Sequence, residues 1–342
     1  MTTIANDPAT PSDAGGDSGT VSIDIGLGEG EHQDAFVRAL CNVLATDIAE
    51  ITFAQLIDDL PLAEVAFDTA GGKLPNKHPI HTEHRQLCPG VLEKTREIRE
   101  TFNPKSLRLS SEVVSEYRRA SPGSRAFKVR LIEMTAIAVH QIAVEIFKMD
   151  ESLHKDDGLA AWVPPKEDLF WRFNPEGAYA TLFRHPWYTD HDQYPNGVAD
   201  MAGYWAESRI FGGVVLFDRR SPDSAPDVQK DSVWFHPDRE DVTYRIVQLS
   251  ENQKQKLLGF LTSDSPSPSL LPILVDGENT RREDPEEPLH DTGIYRDLWE
   301  RKPMGPDGID RRLRDVWDTV EYPLMSDFER AQERAYDRKD ML

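Results

Sequence analysis

The sequence predicts an α+β fold, with a helical N-terminal half, a central antiparallel β-meander packed by helices, and a helical C-terminus. Three observations lead there. From Glu31 to Met149 apolar residues recur at steps of three to four, the spacing of one helix face. Between Ser208 and Leu249 three short runs, SRIFGGVVLFDR, DSVWFHP and DVTYRIVQL, are continuously apolar or alternate, as strands do. Helical spacing returns beyond residue 291.

Taken in order, residues 1–20 are rich in Thr, Ala, Asp, Gly, Ser and Pro and read as a disordered leader, since they bury too little apolar area to offset ordering entropy. One α+β domain is expected over 21–342: helical over 31–150, mixed over 158–262, a connector over 263–290, and helical over 291–342. Phe36, Leu40, Val43, Leu44, Ile48 and Ile51 form the face of a first helix, and 71–90 is a long loop. Ser121 and Pro122 cap a core helix running to Met149, with Phe127, Leu131, Met134, Ile142 and Ile146 on its wide apolar face. GVADMAGYWAE is a short helix leading into the first strand, and Ser250 with Gln253 is a capping box opening another helix. Tyr295–Arg301, Arg311–Val320 and a last segment with Ser326 and Glu329 as a capping box are read as helices.

Composition narrows the function. With 60 acidic against 39 basic residues the formal charge is −21, which on average repels nucleic acid and anionic membranes. Cys41 and Cys88, the two cysteines, share no CxxC spacing, so neither a disulfide framework nor a zinc knuckle is expected, and the compartment is reducing. No run of 18 apolar residues occurs, so no membrane partner and a cytoplasmic location are expected. GxSxG, P-loop and HExxH motifs are absent.

Three strings carry possible chemistry. VSIDIGLGEGEHQ, with Gly26, Gly28 and Gly30, resembles the opening motif of Rossmann-type S-adenosylmethionine methyltransferases, with Asp47 where the second-strand acid would sit. The helical blocks that follow lack further βα units, so a glycine-rich exit from the leader is preferred and no cofactor is expected. RHPWYTDHDQYP packs His185, Asp190, His191 and Asp192 together, but HxxxxxH on a loop matches no standard site, so no metal is expected there. Asp200, Tyr204 and Glu207 stand at i, i+4 and i+7, which places two carboxylates and a phenol on one helix face as general acid and base. His140, on the core helix, reads as a hydrogen-bonded structural residue.

ADMAGYWAESRIFGGVVLFDRR, WFHPDREDVTYRIVQLSENQKQKLLGFL and IYRDLWERK resemble a large family of filamentous-fungal proteins that includes arginine-containing cyclodipeptide synthases, over about residues 85–325. The resemblance implies a biosynthetic enzyme joining arginine from arginyl-tRNA to a second amino acid as a diketopiperazine. Aminoacyl-tRNA would then be a partner, and on so acidic a chain it needs a local basic groove. Catalysis is assigned to Asp200, Tyr204 and Glu207, with Tyr204 and Glu207 as the proton shuttle. Substrate binding is assigned to His185, Trp187, Tyr188, Asp190, His191 and Asp192, because an arginyl group calls for carboxylates in fork geometry. The alternatives are a methyltransferase and a non-catalytic binding or scaffold protein. The first needs a cofactor site at the glycines, and the second a broad exposed patch instead of a pocket.

Overall fold

The computed structural model describes residues 19–302, apart from 69–73, 76, 150–153, 155–157, 174–176, 222–227, 239–242 and 286, together with 324–326 and 329. Its helices, in chain order, are α1 (Ile23–Leu27), α2 (Glu31–Leu44), α3 (Asp47–Asp58), α4 (Ala63–Asp68), α5 (Ile80–Glu83) and α6 (Val91–Thr101). There follow α7 (Ser111–Arg119), α8 (Arg125–Lys148), α9 (Phe170–Phe173), α10 (Val198–Phe211), α11 (Glu251–Thr262) and α12 (Leu289–Thr292). The strands are β1 (Thr20–Ser22), β2 (Arg108–Ser110), β3 (Val214–Asp218), β4 (Val233–His236), β5 (Ile246–Gln248), β6 (Arg282–Glu283) and β7 (Ile294–Tyr295). The fold is α+β: β1 and β2 make a small antiparallel pair, and the main sheet runs β6-β5-β4-β3-β7 with every neighbouring pair antiparallel.

Side chains alternate across a strand, so one sheet divides two cores. Val215, Phe217, Val233, Phe235 and Val247 face the larger core, built with α2, α3, α8 and α11. Val214, Leu216, Trp234, Ile246 and Ile294 face a smaller one with Tyr188, Tyr194, Met201 and Tyr204. The register pairs like with like, Val215 opposite Phe235 and Leu216 opposite Trp234. With both faces covered, β3 is buried throughout, which is why its sequence is a continuous apolar run.

Several local expectations change. The single helix read from Phe36 to Ile51 is two, bent by 73° between α2 and α3. Thr46 makes the break: its hydroxyl donates to the Val43 carbonyl and accepts from the Ala49 amide, capping α3. α8 begins after Ser124, not Ser121, because Gly123 has φ 74° and cannot continue a helix. The Ser250–Gln253 capping box is present as expected. α10 is longer than the short helix foreseen, taking in SRIF, and it is buried nearly all round. The 71–90 loop contains α5.

One alternative loses its structural setting and one further expectation is corrected. VSIDIG is a three-residue strand followed at once by α1, and its partner β2 is antiparallel, so the parallel βαβ setting of a dinucleotide or S-adenosylmethionine site is not formed there. Tyr295–Arg301 is not a helix: Ile294 and Tyr295 pair with β3, and the next residues turn around Glu300, whose carboxylate accepts from the Arg296 and Asp297 amides. Residues 1–18 and 303–323 lie outside the described residues, and with them most of the leader and the Arg311–Val320 helix. The last capping box is described only at 324–326 and 329. Among the described residues no single helix is long and apolar enough to cross a membrane.

Candidate functional site

α10 lies against α8, and the approach is closest at Gly203. A Cβ there would stand 2.6 Å from Nε2 of His140, so only glycine lets the imidazole enter between Asp200 and Glu207. His140 Nε2 is 3.0 Å from Asp200 Oδ1, and Nδ1 is 3.5 Å from Glu207 Oε2. Both ring nitrogens therefore face carboxylates, the arrangement of an imidazolium. Burial alone would push the His140 pKa down; Asp200 and Glu207 outweigh it and hold it above its ordinary value.

Glu207 is fully buried, and its Oε1 accepts from the Val215 amide at 2.7 Å and from Arg296 Nη1 at 2.6 Å. Burial pushes its carboxyl up, yet Arg296 and His140 together bring it below the usual range. Asp200 accepts from the Asn196 amide as well as facing His140, and the same balance, burial against hydrogen bonds, leaves it lowered. Arg296 also reaches Asp297 and lies over the Tyr204 ring, 5.5 Å from its centroid. Four buried charges, two of each sign, thus cancel among His140 on α8, Asp200 and Glu207 two turns apart on α10, and Arg296 after β7.

The loop before α10 supplies the adjoining layer. Tyr188 stacks on Tyr204 with centroids 4.5 Å apart, and its hydroxyl donates to His236 Nδ1. His236 Nε2 donates to the Tyr244 carbonyl, while His185 Nε2 donates to the His236 carbonyl and His185 Nδ1 accepts from the Trp187 amide. Both imidazoles are neutral: burial pushes His185 down to about 4 and His236 well below its ordinary value. Burial also pushes the phenols of Tyr188 and Tyr204 well up.

The structure therefore brings Asp200, Tyr204, Glu207, Tyr188 and His185 into one buried region, with half-buried Trp187 at its edge beside His236 and Tyr244. Asp190, His191 and Asp192 stand outside it. Lys302 binds both carboxylates there, its Nζ 2.7 Å from Asp192 Oδ1 and its amide 3.1 Å from Asp190 Oδ2. Neither carboxylate of the α10 face reaches solvent, since Asp200 and Glu207 are 4% and 0% exposed. Arg296 and Glu300 were missed by sequence reasoning because the segment read as a helix; the clue was two arginines and four acidic or aromatic neighbours within IYRDLWERK.

A second grouping lies elsewhere. Asp58 ends α3, His84 and Cys88 stand between α5 and α6, and His154 follows α8. One candidate ligand atom from each falls within 4.8 Å of all the others. His84 Nε2 is 3.0 Å from Asp58 Oδ2, Cys88 Sγ is 3.2 Å from His154 Nε2, and His154 Nε2 is 3.6 Å from Asp58 Oδ1. A polar cleft of about 350 Å³ also opens beside β5 and α11, lined by Gln229, Gln248, Lys254, Asn279 and Arg281 among others.

No family model matches the chain, and neither does any curated protein or solved structure.

Proposed function

We propose that the chain is a biosynthetic aminoacyl transferase that forms an arginine-containing cyclodipeptide from aminoacyl-tRNA. One observation supports this best: the three segments that carry the fungal resemblance, far apart in sequence, converge on the same buried centre. Glu207 from the first binds Arg296 from the third, and His236 from the second receives the Tyr188 hydroxyl beside Tyr204. Buried ion clusters are expensive compared with apolar packing of the same volume, so a sequence pattern concentrated on one is better suited to a site than to stability.

In this reading the residues divide by accessibility. Asp190 and Asp192, held by Lys302 at the surface, form the carboxylate pair that a guanidinium would take over, with Trp187 as the apolar wall. Asp200 and Glu207 are positioning residues, because both Asp200 oxygens and Glu207 Oε1 accept hydrogen bonds from His140, Asn196, Val215 and Arg296, and Glu207 Oε2 faces only the buried His140 ring at 3.5 Å. They hold His140 and Arg296, which pack against the Tyr204 ring, and Tyr204 in turn backs Tyr188. The chemistry needs no redox partner: the amine of one aminoacyl ester attacks the other carbonyl, a tRNA hydroxyl leaves, and the new dipeptidyl ester cyclises with loss of the second tRNA.

Expression in a host free of diketopiperazines, fed isotopically labelled arginine, tests the proposal. The expected result is a labelled cyclic dipeptide that falls at least tenfold in an Asp190→Asn, Asp192→Asn double variant of unchanged melting temperature. Well-expressed wild-type protein that yields none would remove the synthase reading. A specific observation favours the scaffold reading next: the four central charges already satisfy one another and fasten residues 294–301 to α10.

A further inference from the structure

We infer that Asp58, His84, Cys88 and His154 form a closed, structural zinc site. The donor set is that of zinc, one thiolate and two imidazoles completed by a carboxylate. Bond lengths of about 2.0–2.3 Å give a tetrahedron with edges of roughly 3.3–3.7 Å. The contacts His84 to Asp58 at 3.0 Å, Cys88 to His154 at 3.2 Å and His154 to Asp58 at 3.6 Å lie close to those edges. Drawing the widest pair in by about 1 Å completes the shell.

What surrounds the ligands fits a metal better than hydrogen bonding alone. His84 Nδ1 is 2.9 Å from the Pro61 carbonyl, to which it donates, and its Nε2 lies 3.0 Å from Asp58 Oδ2. A proton on Nε2 holds that contact in the absence of metal, and a zinc ion at the centre of the four donors would take the proton's place. The Cys88 amide donates to that same Oδ2, a typical outer contact that orients a ligating carboxylate. Asp58 is fully buried, and its Oδ1 has no hydrogen-bond partner while lying 3.6 Å from His154 Nε2. A buried, unsatisfied carboxylate oxygen aimed into a nest of imidazole and sulfur is costly, and a dication removes the cost.

Charge balance agrees: one carboxylate, one thiolate and two neutral imidazoles cancel the dication, so the filled site is neutral where it is buried. Four protein donors leave no position for substrate water, the mark of a structural site. Its work is to tie three segments that are distant in sequence, since Asp58 lies 30 positions from Cys88, and Cys88 lies 66 from His154. Cys88 and His154 are partly exposed and provide the way in for the ion. This inference is independent of the proposed reaction and stands or falls without it.

Elemental analysis of full-length protein purified without chelator is expected to give about one zinc per chain, and at least tenfold less in a Cys88→Ser, His154→Ala double variant. Because losing a structural metal can itself unfold a variant, the decisive measurement uses wild type. Dialysis against a strong chelator lowers the melting temperature, one equivalent of Zn²⁺ restores it and Mg²⁺ does not. Loading the stripped protein with Co²⁺ produces a thiolate-to-cobalt charge-transfer band. Stripped wild-type protein that takes up no Zn²⁺, or Co²⁺ bound without that band, overturns the inference, as does stoichiometric zinc retained by the double variant.

Discussion

Replacing Glu207 by glutamine keeps its shape and removes one charge, and the structure allows the cost to be worked out. The amide oxygen at the Oε1 position still accepts from the Val215 amide and Arg296, so those two contacts persist. The amide nitrogen then faces His140 Nδ1, which in the wild type looks at a carboxylate oxygen 3.5 Å away. Arg296 keeps Asp297, but His140 is left with Asp200 as its one carboxylate neighbour of the original two and holds its proton less firmly. Breaking one partner out of a buried ion pair costs about 3–5 kcal/mol. For a chain of 342 residues, with an unfolding entropy of about 0.7 kcal/mol/K, that is a fall in melting temperature of about 4–7 °C.

The deficit should also depend on pH in a definite direction. The folded pKa of His140 is raised, so its stabilising contribution is complete below the unfolded value near 6.5 and fades as pH rises through the folded value. Removing Glu207 removes much of that contribution. The variant therefore lags the wild type most below about pH 6.5 and least in alkali. Urea unfolding of both proteins between pH 6 and 9 measures this. A variant within about 1 kcal/mol of wild type at pH 6 would refute the ion-pair account.

Other outcomes follow from the same region. His185 and His236 are buried neutral with lowered pKa values, so their contribution is complete above about pH 6.5 and lost on acidification toward pH 4. Urea unfolding should show up to roughly 2.7 kcal/mol lost per pH unit from this pair, and equal stability at pH 6.5 and 5 would contradict it. Gly203→Ala drives a methyl group into the His140 ring, which carboxylates hold on both sides, and should cost about 1–3 kcal/mol or more by calorimetry; a neutral effect would mean that α8 and α10 can part. Asp192→Asn touches only an exposed pair with Lys302 and should leave melting unchanged, so a clear drop would show that the loop depends on it.

How much of this was legible in the sequence depended on how local the cause was. The face shared by Asp200, Tyr204 and Glu207 follows from helical spacing, and the Ser250 cap from residues three apart. The partners of that face are not local: His140 lies 60 positions before Asp200 and Arg296 lies 89 after Glu207, and no periodicity encodes such a pairing. For the same reason the burial of α10 on nearly every side could not be foreseen. Its carboxylates look like surface residues until the cations that neutralise them are placed. Tyr295 was taken for helix because IYRDLWERK has helical spacing, whereas two residues of it finish the edge of a sheet whose other strands lie far upstream. The zinc ligands were invisible because each sits at the end of an element or in a loop, at separations that match no standard spacing.

The dependence of Glu207 on Arg296 acquires a clock when the chain is being synthesised. At about 5–20 residues per second, a ribosome needs roughly 4–18 s to travel the 89 positions between them. During that interval the residues of α8 and α10 are already synthesised, and Asp200, Glu207 and His140 lack the arginine that neutralises them when buried. The final zipping of the second core is thus timed by the emergence of the Arg296–Arg301 turn, and a peptide that stalls before it leaves a negatively charged helix with an open socket. Chaperone capture and proteolysis of stalled chains should cluster in that window.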